Sequence, residues 1–521
     1  MNKLPIVDLC IIGLYLIAMI GVGFWFSFRN QRADQFTKAS GNIPSWAIGL
    51  SIYATFLSSN TFLGVPGKAF GSNWNAFVFS LSMPVAAFFA SRFFVSFYRR
   101  SGEVSAYTHL EKRFGPWART YAVTCFLLTQ LARIGSVFFG VALSLQALTG
   151  YSMELIMTVT GICIIIYTVL GGIEAVIWTE VVQGVIKTFG AVLILYLLID
   201  RIDGGIETIN WVGLSEKKIS LGSFDFDFNH STFWVIFLYG VFINLNNFGM
   251  DQNYVQRYHA AKSPKDAARS IWLCVWIYVP TSLLFFLIGT SLYVYYQANP
   301  ALIEPVKLQA AAERLGSGAT ATEISHLAAT LQPADYGDKV MPHFMVTQIP
   351  TGLIGIIISA ILSAAMSTIS SGMNASATVF VEDIYKRYFK APTNERTTLR
   401  ALHIATVVVG LCGMSAGIAM IGISSVLDLW WILSGIFAGG MLGLFLLGLV
   451  SKYAHNADAA IATAVGIIII IWMTFSEYLP QDMKSLKSPL DKNMIIVVGT
   501  LSIFLIGSLL SRLRTFSRKN I

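Results

Sequence analysis

Three stretches of the chain place hydroxyl and amide side chains beside helix-breaking residues inside otherwise apolar sequence. The first is Ser51-Ile52-Tyr53-Ala54-Thr55-Phe56-Leu57-Ser58-Ser59-Asn60-Thr61, followed by Gly64, Pro66 and Gly67. The second runs from Asn244 through Asn246, Asn247 and Gly249 to Asp251, Gln252 and Asn253, and the third from Ser363 to Asn374, with Ser367 and Thr368 adjacent. A break in a membrane helix frees carbonyl oxygens for a cation, while the N-terminal end of a half-helix favours an anion. Na⁺ is a hard cation that takes oxygen ligands, so the Ser367-Thr368 pair reads as part of an ion site. Ser363, Ser370 and Ser376, taken singly, read as packing residues that let helices approach.

Arg133 lies about 14 residues into a long apolar run that begins near Arg119, roughly 20 Å along a helix, too deep to snorkel from that end. A guanidinium at that depth costs at least about 2.5 kcal/mol on insertion scales, so it must face a partner or a wet cavity. Two readings stand side by side: a planar fork for a substrate carboxylate, or a structural ion pair with Glu180 or Asp251. Glu180, at the start of an apolar run, reads as a solvated acid near the interface. No enzymatic constellation competes. The seven histidines show no metal-ligand spacing, the five cysteines all lie in apolar runs with no disulfide framework, and neither a phosphate loop nor a dinucleotide fingerprint is present.

The elements that must position these groups are membrane helices. Of the 521 residues 55% are hydrophobic and 12% charged, about half the charged share of soluble domains. The apolar residues form runs of about 20, long enough to cross a hydrocarbon core of roughly 30 Å. Backbone in lipid must satisfy its own hydrogen bonds, so the runs are helices. About thirteen are expected, near 5–28, 46–63, 74–97, 119–148, 154–170, 179–198, 233–254, 271–296, 353–380, 402–421, 429–450, 459–475 and 494–510. The first lacks a strong basic region before it and reads as a retained span rather than a signal peptide.

Cytoplasmic loops concentrate Lys and Arg. Alternate loops do so here: Arg29, Arg32 and Lys38; Arg99, Arg100, Lys112 and Arg113; Arg257, Lys262, Lys265 and Arg269; Lys386, Arg387, Lys390 and Arg396; Arg512, Arg514, Arg518 and Lys519. The long loops 199–232 and 297–350, with Asp203, Glu207, Asp225, Asp227, Glu313 and Glu323, fall on the other side. The N-terminus is therefore expected outside and the C-terminus in the cytoplasm, which requires an odd number of spans. The net charge of +8 follows these topology rules and does not indicate nucleic acid. The broken second and seventh spans lie five apart, at corresponding positions of two five-helix halves, a pattern that points to a transporter with inverted repeats and a midplane site.

Several segments resemble the sodium/solute symporter family in order along nearly the whole chain: Tyr107-Thr108-His109-Leu110-Glu111-Lys112-Arg113-Phe114-Gly115; Gly171-Gly172 with Trp178-Thr179-Glu180-Val181-Val182-Gln183; Asp251-Gln252 with Val255-Gln256-Arg257-Tyr258; and Ala364-Ala365-Met366-Ser367-Thr368. The resemblance implies an all-α membrane protein of LeuT-type fold: one extra helix (5–28), a first five-helix repeat (46–198), its inverted copy (233–450) and two terminal helices (459–510). It implies a common sodium site on carbonyls of Ala54, Leu57 and Ala364 and hydroxyls of Ser367 and Thr368. A further site in some members would use Ser367, Thr368 and Glu180, where most relatives carry Asp, so one or two sodium ions are expected.

Arginine at position 133 resembles the sialic acid branch of the family, which implies a carboxylate contact. Ser58, Asn60, Thr61, Gln130, Phe79 and Ser80 would supply the other contacts, and Asn247 stands where sugar transporters carry an inner-gate aromatic. The expected function is sodium-coupled uptake of N-acetylneuraminate or a close acidic sugar by alternating access. The rivals are a neutral sugar, monocarboxylate or amino acid on the same fold, and a sensor or channel. The expected setting is a multi-pass protein of the cytoplasmic membrane whose partners are the sugar, Na⁺ and the bilayer, working as a monomer.

Overall fold

The computed structural model describes residues 4–28, 32–316, 318–389, 394–421, 426–476 and 479–519, so Arg29 and Lys390 of the expected basic set lie outside the described residues. The described chain is helical, and its one β-type contact is an isolated bridge between Ile43 and Ala261. Among the described residues ten helices are long and apolar enough to cross a membrane, and one bent pair raises that to eleven.

In chain order the principal helices are α1 (Ile6–Ser27), α2 (Ser45–Phe56), α3 (Ser59–Gly71), α4 (Val78–Phe89), α5 (Pro116–Thr149), α6 (Met153–Asp200), α7 (Phe233–Met250), α8 (Gln252–Ala260), α9 (Pro264–Ala298), α10 (Leu353–Val379), α11 (Glu395–Ala419), α12 (Val426–Val450), α13 (Asn456–Phe475) and α14 (Met494–Lys519). Local sequence sets their starts. The hydroxyls of Ser152, Thr232 and Ser263 accept from the backbone N–H of Leu155, Val235 and Asp266 and cap α6, α7 and α9.

Two expected spans, 154–170 and 179–198, are the two arms of α6. The 48-residue element contains a non-helical residue, Gly172, at φ +56°, a backbone conformation that glycine adopts without penalty. Phe36 closes against it: a Cβ on Gly172 would meet the Phe36 Cα at 2.9 Å. The expected break in the second span is real. α2 ends at Phe56, α3 begins at Ser59, and the two axes diverge by 58°. The seventh span breaks as well, at Asp251 between α7 and α8. The ninth does not: α10 is continuous from Leu353 to Val379 and buried along almost all of it. Its serines and threonines satisfy their hydroxyls on carbonyls one turn back, as Ser359, Ser363 and Thr378 do, so they enrich the stretch in polar groups without interrupting it.

α10 is the central rod, and its most extensive contact is with α6. That approach is close enough that a Cβ on Gly190 would lie 2.4 Å from the Ala360 methyl. The second arm of α6 has two faces. Val185, Phe189, Val192 and Tyr196 are all at least half exposed, at the i, i+4, i+7, i+11 spacing of a stripe turned to lipid. Glu180, Gln183, Lys187, Ala191 and Ile194 are buried on the opposite stripe.

Candidate substrate cavity and cation cradle

A cavity of about 630 Å³ runs between α2–α3, α4, α5, α7 and α9. Its lining extends from Arg133, Thr129, Asp251 and Tyr254 to Gly222, Ser223 and Ser231 in the long 199–232 loop, so it opens toward the side expected to be external. Of the expected substrate contacts, Ser58, Asn60, Thr61, Phe79, Ser80, Arg133 and Asn247 all line it. Gln130 does not; it is buried behind the wall and donates to the Asp251 carboxylate at 3.3 Å.

Local geometry explains how these groups are presented. At the start of α3, Ser58 is the cap: its Oγ accepts from the Thr61 N–H at 3.4 Å and lies 3.3 Å from the Thr61 hydroxyl. Asn60 donates to Ser136 at 3.2 Å, and Ser80 pairs with Ser282 at 2.7 Å. Beneath them Phe56 packs against Phe248, Tyr254 and Tyr278. An aromatic layer that includes Phe248 thus lies next to Asn247, the position that the resemblance sets against an inner-gate aromatic of sugar transporters.

Arg133 combines elements of both readings made from sequence. Its Nη2 donates to the Thr55 carbonyl at 3.0 Å and its Nη1 lies 3.8 Å from the Asp251 carboxylate. Asp251 is itself engaged by the Asn253 backbone N–H at 2.8 Å and the Asn253 amide at 2.6 Å. The guanidinium lines the cavity, held by the Thr55 carbonyl and the long contact to Asp251 with the Tyr254 hydroxyl beside it, and its five N–H donors exceed these partners.

Glu180 corrects the sequence reading. It is wholly buried and pairs with Arg257 at 2.7 Å. Ser51, Thr55 and Ser371 also reach its carboxylate, while Arg257 further bonds Ser51 at 2.8 Å, Thr55 at 3.0 Å and Ser371 at 2.6 Å. The reason is the continuity of α6: Glu180 lies past the Gly172 bend on the inner stripe rather than at a membrane surface. Arg257, expected in a cytoplasmic loop, is equally buried on α8. The carboxylate's direct partners are Ser51, Thr55, Ser371 and Arg257 rather than Ser367 or Thr368.

The common-site residues, by contrast, do converge. Unwinding at Leu57 and Ser58 leaves carbonyls of α2 without helical partners. Ala54 O accepts from Ser367 at 3.0 Å and Thr55 O lies 3.5 Å from Thr368, while Ala364 O receives both hydroxyls at 3.2 and 3.3 Å. One residue in this cluster was missed in the sequence. Lys187 projects from α6 and donates from Nζ to Ala54 O at 2.6 Å, Leu57 O at 2.8 Å and Ser367 Oγ at 3.0 Å. The signal was present: Lys187 is a single ammonium within an apolar span, seven residues from Glu180 and so on the same helical face. Among the described residues no group of three or more His, Cys, Asp or Glu could hold a metal ion.

At the opposite end of the bundle from the cavity mouth, charged side chains tie the helices together. Arg119 bonds Asp383 at 2.5 Å and Glu111 at 2.8 Å, Arg387 bonds Glu111 at 2.5 Å, and Ser105 donates to Asp383 at 2.7 Å.

A polar cavity inside a bundle of membrane helices and a broken helix along its wall are the marks of a secondary transporter. The model of the sodium:solute symporter family matches residues 36–466, and the chain belongs to that family. Among relatives, it is 32% identical over 504 residues to the sodium/sialic acid symporter NanT of Aliivibrio fischeri, covering 95% of this chain and 91% of that protein. It is 31% identical over 501 residues to the sodium/sialic acid symporter SiaT of Proteus mirabilis, covering 95% and 92%. A solved Na⁺-coupled sialic acid symporter in a substrate-bound outward-open state superposes with a TM-score of 0.84 at 30% identity, over 97% of this chain and 98% of that one.

Proposed function

We propose that this chain is a symporter that imports N-acetylneuraminate or a close acidic sugar across the cytoplasmic membrane by alternating access. The observation that carries the reading is Arg133, a guanidinium with free donors at the base of a cavity whose other walls offer hydroxyls and amides. Arg presents a planar fork matched to a carboxylate, and the 630 Å³ of space falls within the range of small-ligand sites. Ser58, Asn60, Thr61, Ser80 and Asn247 serve the sugar's hydroxyls and amide, and Phe79 packs on its apolar face. Gln130 is a positioning residue acting through Asp251.

Sodium, one or two ions per cycle, is the coupling ion that the family and both relatives' names support. The working arrangement is thirteen spans, with α6 counted twice at Gly172 and α12 included, in two inverted repeats (46–198 and 233–450) after an extra helix and before two terminal ones. The N-terminus lies outside, and a monomer suffices, since the cavity is built within one chain.

Labelled N-acetylneuraminate uptake into proteoliposomes tests the reading. Concentrative uptake blocked by unlabelled acid and not by a neutral sugar is expected; uptake blocked equally by the neutral sugar, or no uptake at all, refutes it.

A further inference from the structure

The oxygens expected to hold the common sodium ion already face a cation. Lys187 is fully buried, and its Nζ lies 2.6 Å from Ala54 O, 2.8 Å from Leu57 O and 3.0 Å from Ser367 Oγ. An ammonium has three donors and no acceptor, so these contacts use all of its capacity. No carboxylate is among them. Glu180, the nearest acid on the same face, is matched by Arg257. The charge on Lys187 is answered by the carbonyl dipoles that the broken helix exposes, the same dipoles that would answer Na⁺. A free ion cannot share them: its ligands are engaged, and the two like charges would be in contact.

We infer that Lys187 supplies the cation of this cradle from the chain itself, in place of a free sodium ion. The tethered ammonium ties α2, α6 and α10 together without an ion from solution. The consequence for substrate binding rests on the proposed acidic-sugar function and revises the ion at this one position. The wild type then gains nothing from sodium through this cradle, and the coupling ion of the proposed cycle binds outside it. Shortening Lys187 leaves the oxygens in place and opens the cradle to sodium.

The test uses the purified full-length chain. Binding of radioactive sodium is counted for the wild type, Lys187→Ala and the double variant Lys187→Ala/Ser367→Ala. N-acetylneuraminate affinity is measured by calorimetry in sodium chloride and in choline chloride at equal ionic strength. The expected result is a Lys187→Ala affinity that gains about tenfold more from sodium than the wild-type affinity does, within the usual range of site-to-site coupling. Lys187→Ala should also bind one more sodium per chain than the wild type and lose it in the double variant. A Lys187→Ala chain with no extra sodium, or one whose affinity gains no more from sodium than the wild type's, overturns the inference. Lys187→Ser serves if the alanine variant does not fold. If no chain binds N-acetylneuraminate, the proposed substrate fails while the sodium count still decides the role of Lys187.

Discussion

Replacing Glu180 by Gln keeps the side-chain volume and removes one buried charge. In the wild type that carboxylate receives Ser51, Thr55, Ser371 and Arg257, and both members of the ion pair are fully excluded from solvent. Removing one partner of a buried pair leaves the other uncompensated, at a cost of about 3–5 kcal/mol. With an unfolding entropy of about 2.1 cal/mol/K per residue, a chain of 521 residues loses about 1 °C of midpoint per kcal/mol. Glu180→Gln should therefore unfold about 3–5 °C below the wild type by tryptophan fluorescence in detergent. Replacing both members, Glu180→Met/Arg257→Met, removes the stranded charge and should recover part of that loss, because an apolar pair of similar volume is often neutral or stabilising. A Glu180→Gln midpoint within about 1 °C of wild type, or a double variant as unstable as the sum of the single ones, would show that the pair is not the buried structural unit described here.

Three further residues give independent outcomes. His109 and His259, both outside the spans, are held down to about 4 by burial, with Arg113 adding to the effect on His109 and Lys38 and Arg99 to that on His259. A lowered folded-state value means that the unfolded chain takes up the proton first, so their contribution is complete above pH 6.5 and is lost as pH falls toward 4. Each histidine should cost up to about 3 kcal/mol across that window; a thermal midpoint that drops on acidification, less steeply in His259→Gln, is the expected result, and an unchanged slope counts against it. Gly172→Ala combines a left-handed backbone with a 2.9 Å clash against Phe36, so a loss of about 2–4 kcal/mol and poor recovery of folded protein are expected, whereas normal yield and midpoint would refute the strain.

Much of this was legible in the sequence because the bilayer imposes a length and a composition on each span. The break at Leu57–Ser58 followed from Ser, Asn, Gly and Pro in an apolar run, and the depth of Arg133 followed from counting residues at a fixed rise. The two arms of α6 were visible as two runs, but what joined them was not: a positive φ at Gly172 leaves no mark beyond the glycine itself. The same continuity moved Glu180 from a presumed surface to the interior. Arg257 and Lys187 were hidden for opposite reasons. Arg257 sits among the cations of an expected cytoplasmic loop, so the charge rule absorbed it. Lys187 was overlooked because its partners are backbone carbonyls and a hydroxyl, which no spacing of acidic residues announces. Polar residues in α10 suggested an interruption, yet hydroxyls that bond one turn back leave a helix whole. Gln130 was expected to line the site and instead lies behind its wall, a distinction that depends on the rotation of α5.

The central claim is that Arg133 selects an acidic sugar. It is tested most directly by comparing calorimetric affinities for N-acetylneuraminate and its neutral carboxamide analogue in wild type and Arg133→Ala. A charge-assisted contact contributes about 1.5–3 kcal/mol, or roughly 10- to 150-fold. The wild type should prefer the acid by that factor and Arg133→Ala should bind both analogues about equally. A preference for the acid that survives in Arg133→Ala, or a wild type that does not distinguish the two, would contradict the account.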